Sequence, residues 1–295
     1  MLCYNNAVRI AIVGLGLIGG SLGLALKKSR WRDAEIIGCA RRQKVAAAAL
    51  RLRAVDTVEM DLQKAVSGAD MIIIATPILT IREVFVQTAP SVSHKAIVTD
   101  TGSTKLQVMQ WAKEFLSPNI SFIGGHPMAG KETSGIEAAE AELFQGRVYC
   151  LTPGEETAQE AVCTLEDMVT AIGAVPFIIS PEEHDNLVAG VSHLPLLLSV
   201  ALVLATTQSP VWDKMSRLAA SGYRDVTRLA SGSPEMHAHI CSTNKEAIVT
   251  WIDVLITELQ RLRRMVSESD ASIESVLALA KEARQRWLRE HGSER

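Results

Sequence analysis

The chain carries almost no net charge: 30 lysines and arginines stand against 33 aspartates and glutamates, leaving −3 over 295 residues. A protein that grips nucleic acid by neutralising phosphates needs a basic field or a basic patch, and none appears along this sequence. Cysteine offers no framework either, because Cys3, Cys39, Cys150, Cys163 and Cys241 are odd in number, scattered and never in a Cys-x-x-Cys arrangement. That argues against structural disulfides and a thiolate zinc site, and fits a reducing, cytoplasmic setting. His237 and His239 lie two apart and diverge on a helix, so no metal is expected. The apolar stretch 187–205 is interrupted by His193, Pro195 and Ser199, and its unbroken part falls short of the ~20 residues a spanning helix needs. It is expected to be a helix buried in a bundle or a subunit interface, with no membrane partner. The polar stretch 1–7 leaves no room for a secretory signal ahead of the first strand, and the sequence shows no repeat or low-complexity tract.

With 47% hydrophobic residues the chain supports a substantial core, in one large domain or two. Its first part alternates β-branched runs (8–13, 35–39, 71–75, 96–99, 121–123, 148–151 and 175–179) with helical patterns (19–29, 43–52, 80–88, 104–116 and 158–172). Such alternation marks a parallel sheet with crossover helices, so an α/β, doubly wound, Rossmann-type domain is expected over 1–180. After Ser180 no strand run remains. Pro181 and Pro234 suit helix first turns, where the missing N–H costs nothing, and amphipathic patterns follow over 244–266 and 271–288. An all-α domain is expected over 181–295. Several apolar helices in so small a unit suggest burial between two subunits, hence a homodimer.

The first strand runs straight into Gly14-Leu15-Gly16-Leu17-Ile18-Gly19-Gly20-Ser21. Placed between a strand and a helix, this Gly-x-Gly-x-x-Gly pattern predicts a dinucleotide site: Gly14 for the tight turn, Gly16 for backbone approach to a pyrophosphate, Gly19 for close helix packing, with Leu17 and Ile18 counted among the cofactor-binding residues. The second strand ends in Arg41-Arg42, where an NAD-selective site usually presents a carboxylate to the ribose diol. Arginine accommodates a 2′-phosphate instead, so NADP is the preferred cofactor expected, with NAD possible; two solvated arginines at a helix start are the plain alternative. Two more strand ends, with Thr76-Pro77 and with Thr99-Asp100-Thr101-Gly102-Ser103-Thr104-Lys105, point to the same crevice. Ser103 reads as the N-cap of the helix 104–116, a role compatible with facing the nicotinamide.

Gly124-Gly125-His126-Pro127-Met128-Ala129-Gly130 holds one histidine between residues that restrict or free the backbone. Pro127 pushes His126 toward an extended conformation and the glycines admit close approach. The imidazole is either a proton-transfer group or a histidine that merely bonds a neighbouring loop.

Taken with Glu183-His184-Asp185, Ser192-His193-Leu194-Pro195 and Gly222-Tyr223-Arg224-Asp225-Val226-Thr227-Arg228, these segments stand in the order found in prephenate/arogenate dehydrogenases, and residues 8 to about 266 resemble that family. The resemblance implies NAD(P)-dependent oxidation with decarboxylation of a cyclohexadienyl acid in tyrosine biosynthesis, in a dimer joined through the helical domain. That chemistry must accept a ring-hydroxyl proton and anchor carboxylates. His126 fits the proton acceptor and Arg228 a carboxylate partner; by resemblance Ser103 bonds the same hydroxyl or orients the imidazole. His184, His193, Asp225 and Glu132 match family positions near the substrate, although His184 and His193 also read as core histidines and Glu132 as a solvated helix-start carboxylate. Several prephenate-using relatives read Ser-His-Leu-Pro-His where this chain has Leu196, which leaves prephenate and arogenate both open. A reductase of the β-hydroxyacid or imine type would not need His126-Pro127 with Asp225-x-x-Arg228, and a silent NADP-binding regulator would have no use for Ser103, His126 and Arg228 together. No regulatory or chorismate mutase domain is expected after the last helices.

Overall fold

The strand β1 (Arg9–Val13) is buried along nearly its whole length, with Ile10, Ala11 and Ile12 wholly shielded from solvent. Burial on both faces is the condition of a central strand in a parallel sheet covered by helices on each side. In the computed structural model, which describes residues 8–131 and 133–291, β1 pairs in parallel with β2 (Glu35–Cys39) on one side and β4 (Met71–Ile74) on the other. Beyond β2 lies the short β3 (Thr57–Glu59); beyond β4 come β5 (Ile97–Asp100), β6 (Ser121–Pro127), β7 (Val148–Pro153) and β8 (Val175–Ile178). The sheet order is β3-β2-β1-β4-β5-β6-β7-β8, parallel throughout except for the antiparallel pairing of β6 with β7. The order reverses between β1 and β4, which opens a crevice at the carboxyl ends of those strands.

The doubly wound reading is borne out, with three local differences. β3 and the helix Leu62–Val66 are too short to leave a periodic signature. The first crossover helix starts at Leu17 rather than at residue 19, so the fingerprint itself forms its first turn. β6 does not stop at Ile123: it runs on through Gly124, Gly125, His126 and Pro127, because β7 supplies an antiparallel partner that places His126 opposite Cys150 and Pro127 opposite Tyr149.

After β8 every described element is helical. Pro181 and Pro234 both occupy helix first turns, and Ser180 and Ser233 cap those helices by accepting from the N–H of Glu183 and Met236. The helix Pro181–Val188 continues through a π-turn at Ala189–His193 into Leu194–Thr207. Pro195 has no N–H to give the turn before it, and the widened turn absorbs that loss. Pro181–Thr207 is long and apolar enough by length and composition to cross a membrane. Much of it is exposed in the single chain, including Val191 and Leu204, which sets aside burial within one chain's bundle and leaves the subunit-interface alternative.

By compactness the chain divides into Met1–Lys245 and Glu246–Arg295, later than the end of the strands at which the sequence suggests a boundary. The second unit holds most of the helix Lys245–Ser267 and all of Ile273–His291, the latter exposing Leu277 and Leu279. The polar stretch 1–7 lies outside the described residues.

Candidate active site

The fingerprint loop has the geometry its glycines require. Gly14 sits at φ +100°, and a Cβ there would come within 2.6 Å of the Ala75 carbonyl oxygen. Gly16 is the N-cap of Leu17–Ser29, and a Cβ on it would meet nothing within 4 Å, so the helix N-terminus faces open space on that side. A pyrophosphate fits such a cradle, with the N–H groups of Leu17, Ile18 and Gly19 in the first turn. Arg41 and Arg42 are exposed just after β2. Thr76 follows β4 and keeps a buried hydroxyl with no partner among the described residues, a group available to a ligand in the crevice; Pro77 caps the next helix.

His126 is held by what surrounds the peptide before it. Gly125 must be glycine, since a Cβ would lie 2.4 Å from the Asp100 carbonyl oxygen. Its N–H donates to Asp100 Oδ1 at 3.1 Å and its carbonyl accepts from Lys105 Nζ at 2.7 Å. Lys105 Nζ also donates to Asp100 Oδ2, which accepts from the N–H of Gly102 at 2.7 Å. Asp100 and Lys105 are both fully buried, and burial pulls the lysine's proton affinity down against the attraction of its carboxylate partner. The segment Thr99 to Lys105 thus acts as a clamp on the strand that carries the histidine.

Behind the imidazole runs a chain of hydrogen bonds. His126 Nδ1 lies 2.9 Å from His184 Nε2, and His184 Nδ1 lies 2.7 Å from Asp185 Oδ1. Asp185 also accepts from the N–H of Lys105 at 2.7 Å and of Leu106 at 2.9 Å. A carboxylate only accepts, so His184 gives it the Nδ1 proton and presents a bare Nε2; His126 must then donate from Nδ1, which leaves its own Nε2 lone pair for an incoming proton. Burial, followed by His184, Lys105 and His193, holds the His126 imidazole well below its ordinary pKa and hence neutral.

These bonds revise two expectations. Ser103 is not a helix N-cap: the helix begins at Leu106, and the side chain that meets its first N–H groups is Asp185. Ser103 instead lines a cavity of about 400 Å³ together with His126, His193, Leu196 and Arg228. His184 stands behind that cavity, against His126, rather than in its wall. Asp225 is exposed beside Arg224 and does not line the cavity. Glu132 lies outside the described residues. Sequence reasoning passed over Lys131, Met236 and His237 as cavity residues, and Asn244, Lys105 and Asp185 as supports. Among them Lys105 and Asp185 belonged to segments already singled out, while nothing local marked Asn244. No group of described residues is arranged to hold a metal ion.

A family model described as the nucleotide-binding domain of prephenate dehydrogenase matches residues 22–178, and one described as its dimerization domain matches 180–281. The chain belongs to the prephenate dehydrogenase family. It is 39% identical over 264 residues to a prephenate dehydrogenase of Bacillus subtilis, covering 89% of this chain and 71% of that one. Among solved structures, prephenate dehydrogenase of A. aeolicus in complex with hydroxyphenyl propionate and NAD+ superposes with a TM-score of 0.89 at 28% identity, over 96% of this chain and 99% of that one. Arogenate dehydrogenase of Synechocystis gives 0.82 at 32% identity, over 95% and 100%. As a member of this family the chain is an oxidoreductase with a nicotinamide nucleotide-binding domain, followed by a domain of the dimerising type.

Proposed function

We propose that this protein oxidises and decarboxylates prephenate to 4-hydroxyphenylpyruvate, or arogenate to tyrosine, with His126 as the general base. The observation that carries the reading is the hydrogen-bonded series Asp185, His184, His126, which ends in a lone pair on the wall of a cavity that also holds Ser103 and Arg228. The ring hydroxyl at C4 of the substrate gives its proton to His126 Nε2 as carbonyl character develops. Asp185, acting through His184, stabilises the positive charge this creates on His126. A nicotinamide nucleotide held at the fingerprint loop would supply the acceptor for the hydride that leaves C4. Loss of CO2 from C1 then leaves its bonding electrons in the ring, which becomes aromatic, and the oxygen recovers a proton from the same imidazole.

Ser103 is placed to bond the substrate hydroxyl, and Arg228 to pair with a substrate carboxylate through a two-pronged guanidinium contact. His193 and Leu196 complete the wall on the helical side. Arg41 and Arg42, which stand in the sequence right after β2 where an NAD-selective site usually has its carboxylate, favour NADP over NAD. The exposed apolar face of Pro181–Thr207, within the segment that matches a dimerization domain, supports a homodimer joined through the C-terminal helices, and the reading places the protein in the cytoplasm. The purified protein, assayed with prephenate or arogenate, each with NAD+ or NADP+, tests the reading by formation of reduced nicotinamide. No turnover in any of the four combinations overturns it.

A further inference from the structure

Asn244 follows the helix Pro234–Thr243 and is almost wholly buried. Its Nδ2 donates to the backbone carbonyl oxygen of Asp185 at 2.7 Å. That oxygen can only accept, so the contact fixes which end of the amide is the NH2. The same Nδ2 lies 3.3 Å from His193 Nδ1. An NH2 group only donates, and Nδ1 of His193 therefore carries no proton. His193 is 2% exposed, and burial pushes its pKa down to about 4, with Asp185 opposing and His184 adding to the shift. A neutral imidazole bare at Nδ1 has its hydrogen on Nε2. That Nε2 is buried, has no hydrogen-bond partner among the described residues, and belongs to a side chain lining the cavity with His126 and Arg228.

We propose that Asn244 is a positioning residue that holds His193 as an Nε2–H donor, and that this donor reads an oxygen acceptor of the substrate, a carboxylate or carbonyl of the cyclic dienyl acid. The inference rests on the proposed dehydrogenase function. An unmet donor in a buried wall rewards a ligand that supplies lone pairs and gives nothing to an ammonium group. The substrate is the better match than the cofactor, because none of the fingerprint glycines lines this cavity whereas Arg228 and His126 do.

Two measurements on the full chain test the proposal. Long-range 1H–15N correlation on unliganded, 15N-histidine-labelled protein should show the His193 proton on Nε2. In Asn244→Asp the carboxylate would accept from the ring, and the proton should move to Nδ1. In the kinetic arm, His193→Leu and Asn244→Asp should raise KM for prephenate about 10- to 100-fold, the range for a lost hydrogen bond to a charged acceptor, while kcat and the Kd of NAD(P)+ stay within about 3-fold. His193→Gln, which keeps an amide donor near the old Nε2, should recover most of the loss. An Nδ1–H tautomer in the wild-type protein, an unchanged KM in His193→Leu, or a rise confined to the Kd of NAD(P)+ overturns the proposal. If a substituted chain fails to fold, the wild-type tautomer and the Gln variant still decide it. Absence of any wild-type turnover would sink the dehydrogenase reading instead, and the tautomer spectrum separates the two failures.

Discussion

The Nδ1 of His126 lies 2.9 Å from the Nε2 of His184, and this contact decides which nitrogen of His126 is free at rest. Because His184 turns its own proton toward Asp185, His126 has a single way to satisfy the pair, and its lone pair is left on the side away from His184. The base is set before any ligand arrives.

Replacing His126 by Ala should lower kcat by about 10² to 10⁴, the usual yield of a positioned general base, with the Kd of NAD(P)+ little changed. In the wild-type enzyme, kcat/KM should stay flat from mildly alkaline pH to below the ordinary histidine value of 6.5, since burial holds the imidazole neutral there. It should fall only in stronger acid, as His126 takes up a proton. Steady-state kinetics across pH check both points, and an acid limb at or above 6.5 would contradict the second.

Replacing His184 by Leu removes the acceptor for the Nδ1 proton of His126 and strands a buried donor. A loss of about 10- to 100-fold in kcat is expected, with KM for substrate nearly unchanged. His184→Gln, whose carbonyl oxygen can still accept, should lie between Leu and wild type. Equal activity of the Leu variant and the wild type would remove His184 from the mechanism.

For Arg228→Ala the expected effect is mainly on KM for prephenate, raised about 10-fold or more by loss of a charge-assisted contact. A variant with unaltered KM would assign the substrate carboxylate to another group.

Substituting Arg41 and Arg42 together by Ala should weaken NADP+ by about 10-fold or more while leaving NAD+ within about 3-fold. Isothermal titration with each nucleotide measures this. Equal weakening of both would mean that the arginines do not read the 2′-phosphate.

Stability should decline in mild acid. In the unfolded chain His193 titrates near 6.5, and in the fold near 4, so as pH drops the unfolded state binds the proton first. The contribution is complete above pH 6.5, falls by up to about 1.4 kcal/mol per pH unit on the way to 4, and changes no further below that. His126 acts with the same sign. Urea midpoints measured between neutral pH and 4.5 should therefore slope less steeply in His193→Gln than in the wild type, and parallel slopes would refute the assignment.

The parallel sheet and the fingerprint were legible because each strand or turn states its role within a few residues: Val8 to Val13 leading into Gly14 is local information. The extension of β6 through His126 was not, because it depends on pairing with Cys150 and Tyr149, residues over twenty positions away that the run of glycines gives no hint of. Ser103 has the right chemistry for an N-cap, and only the arrival of Asp185 from a distant helix takes that job from it. Asn244 could not have been found by pattern at all. Its role exists only where the carbonyl of Asp185 and the ring of His193 meet.

The π-turn at Ala189–His193 has a consequence for the phase of the helix it interrupts. His184 and His193 are nine residues apart, which on an uninterrupted α-helix at roughly 100° per residue would point them about half a turn away from each other. One residue absorbed by the wider turn takes back roughly 100° of that, so the two rings leave neighbouring faces of one continuous rod. A single helical segment can therefore brace His126 from behind with one histidine and finish the cavity wall with the other. The wide turn works as a phase shifter, joining the support of the base to the recognition of what it acts upon.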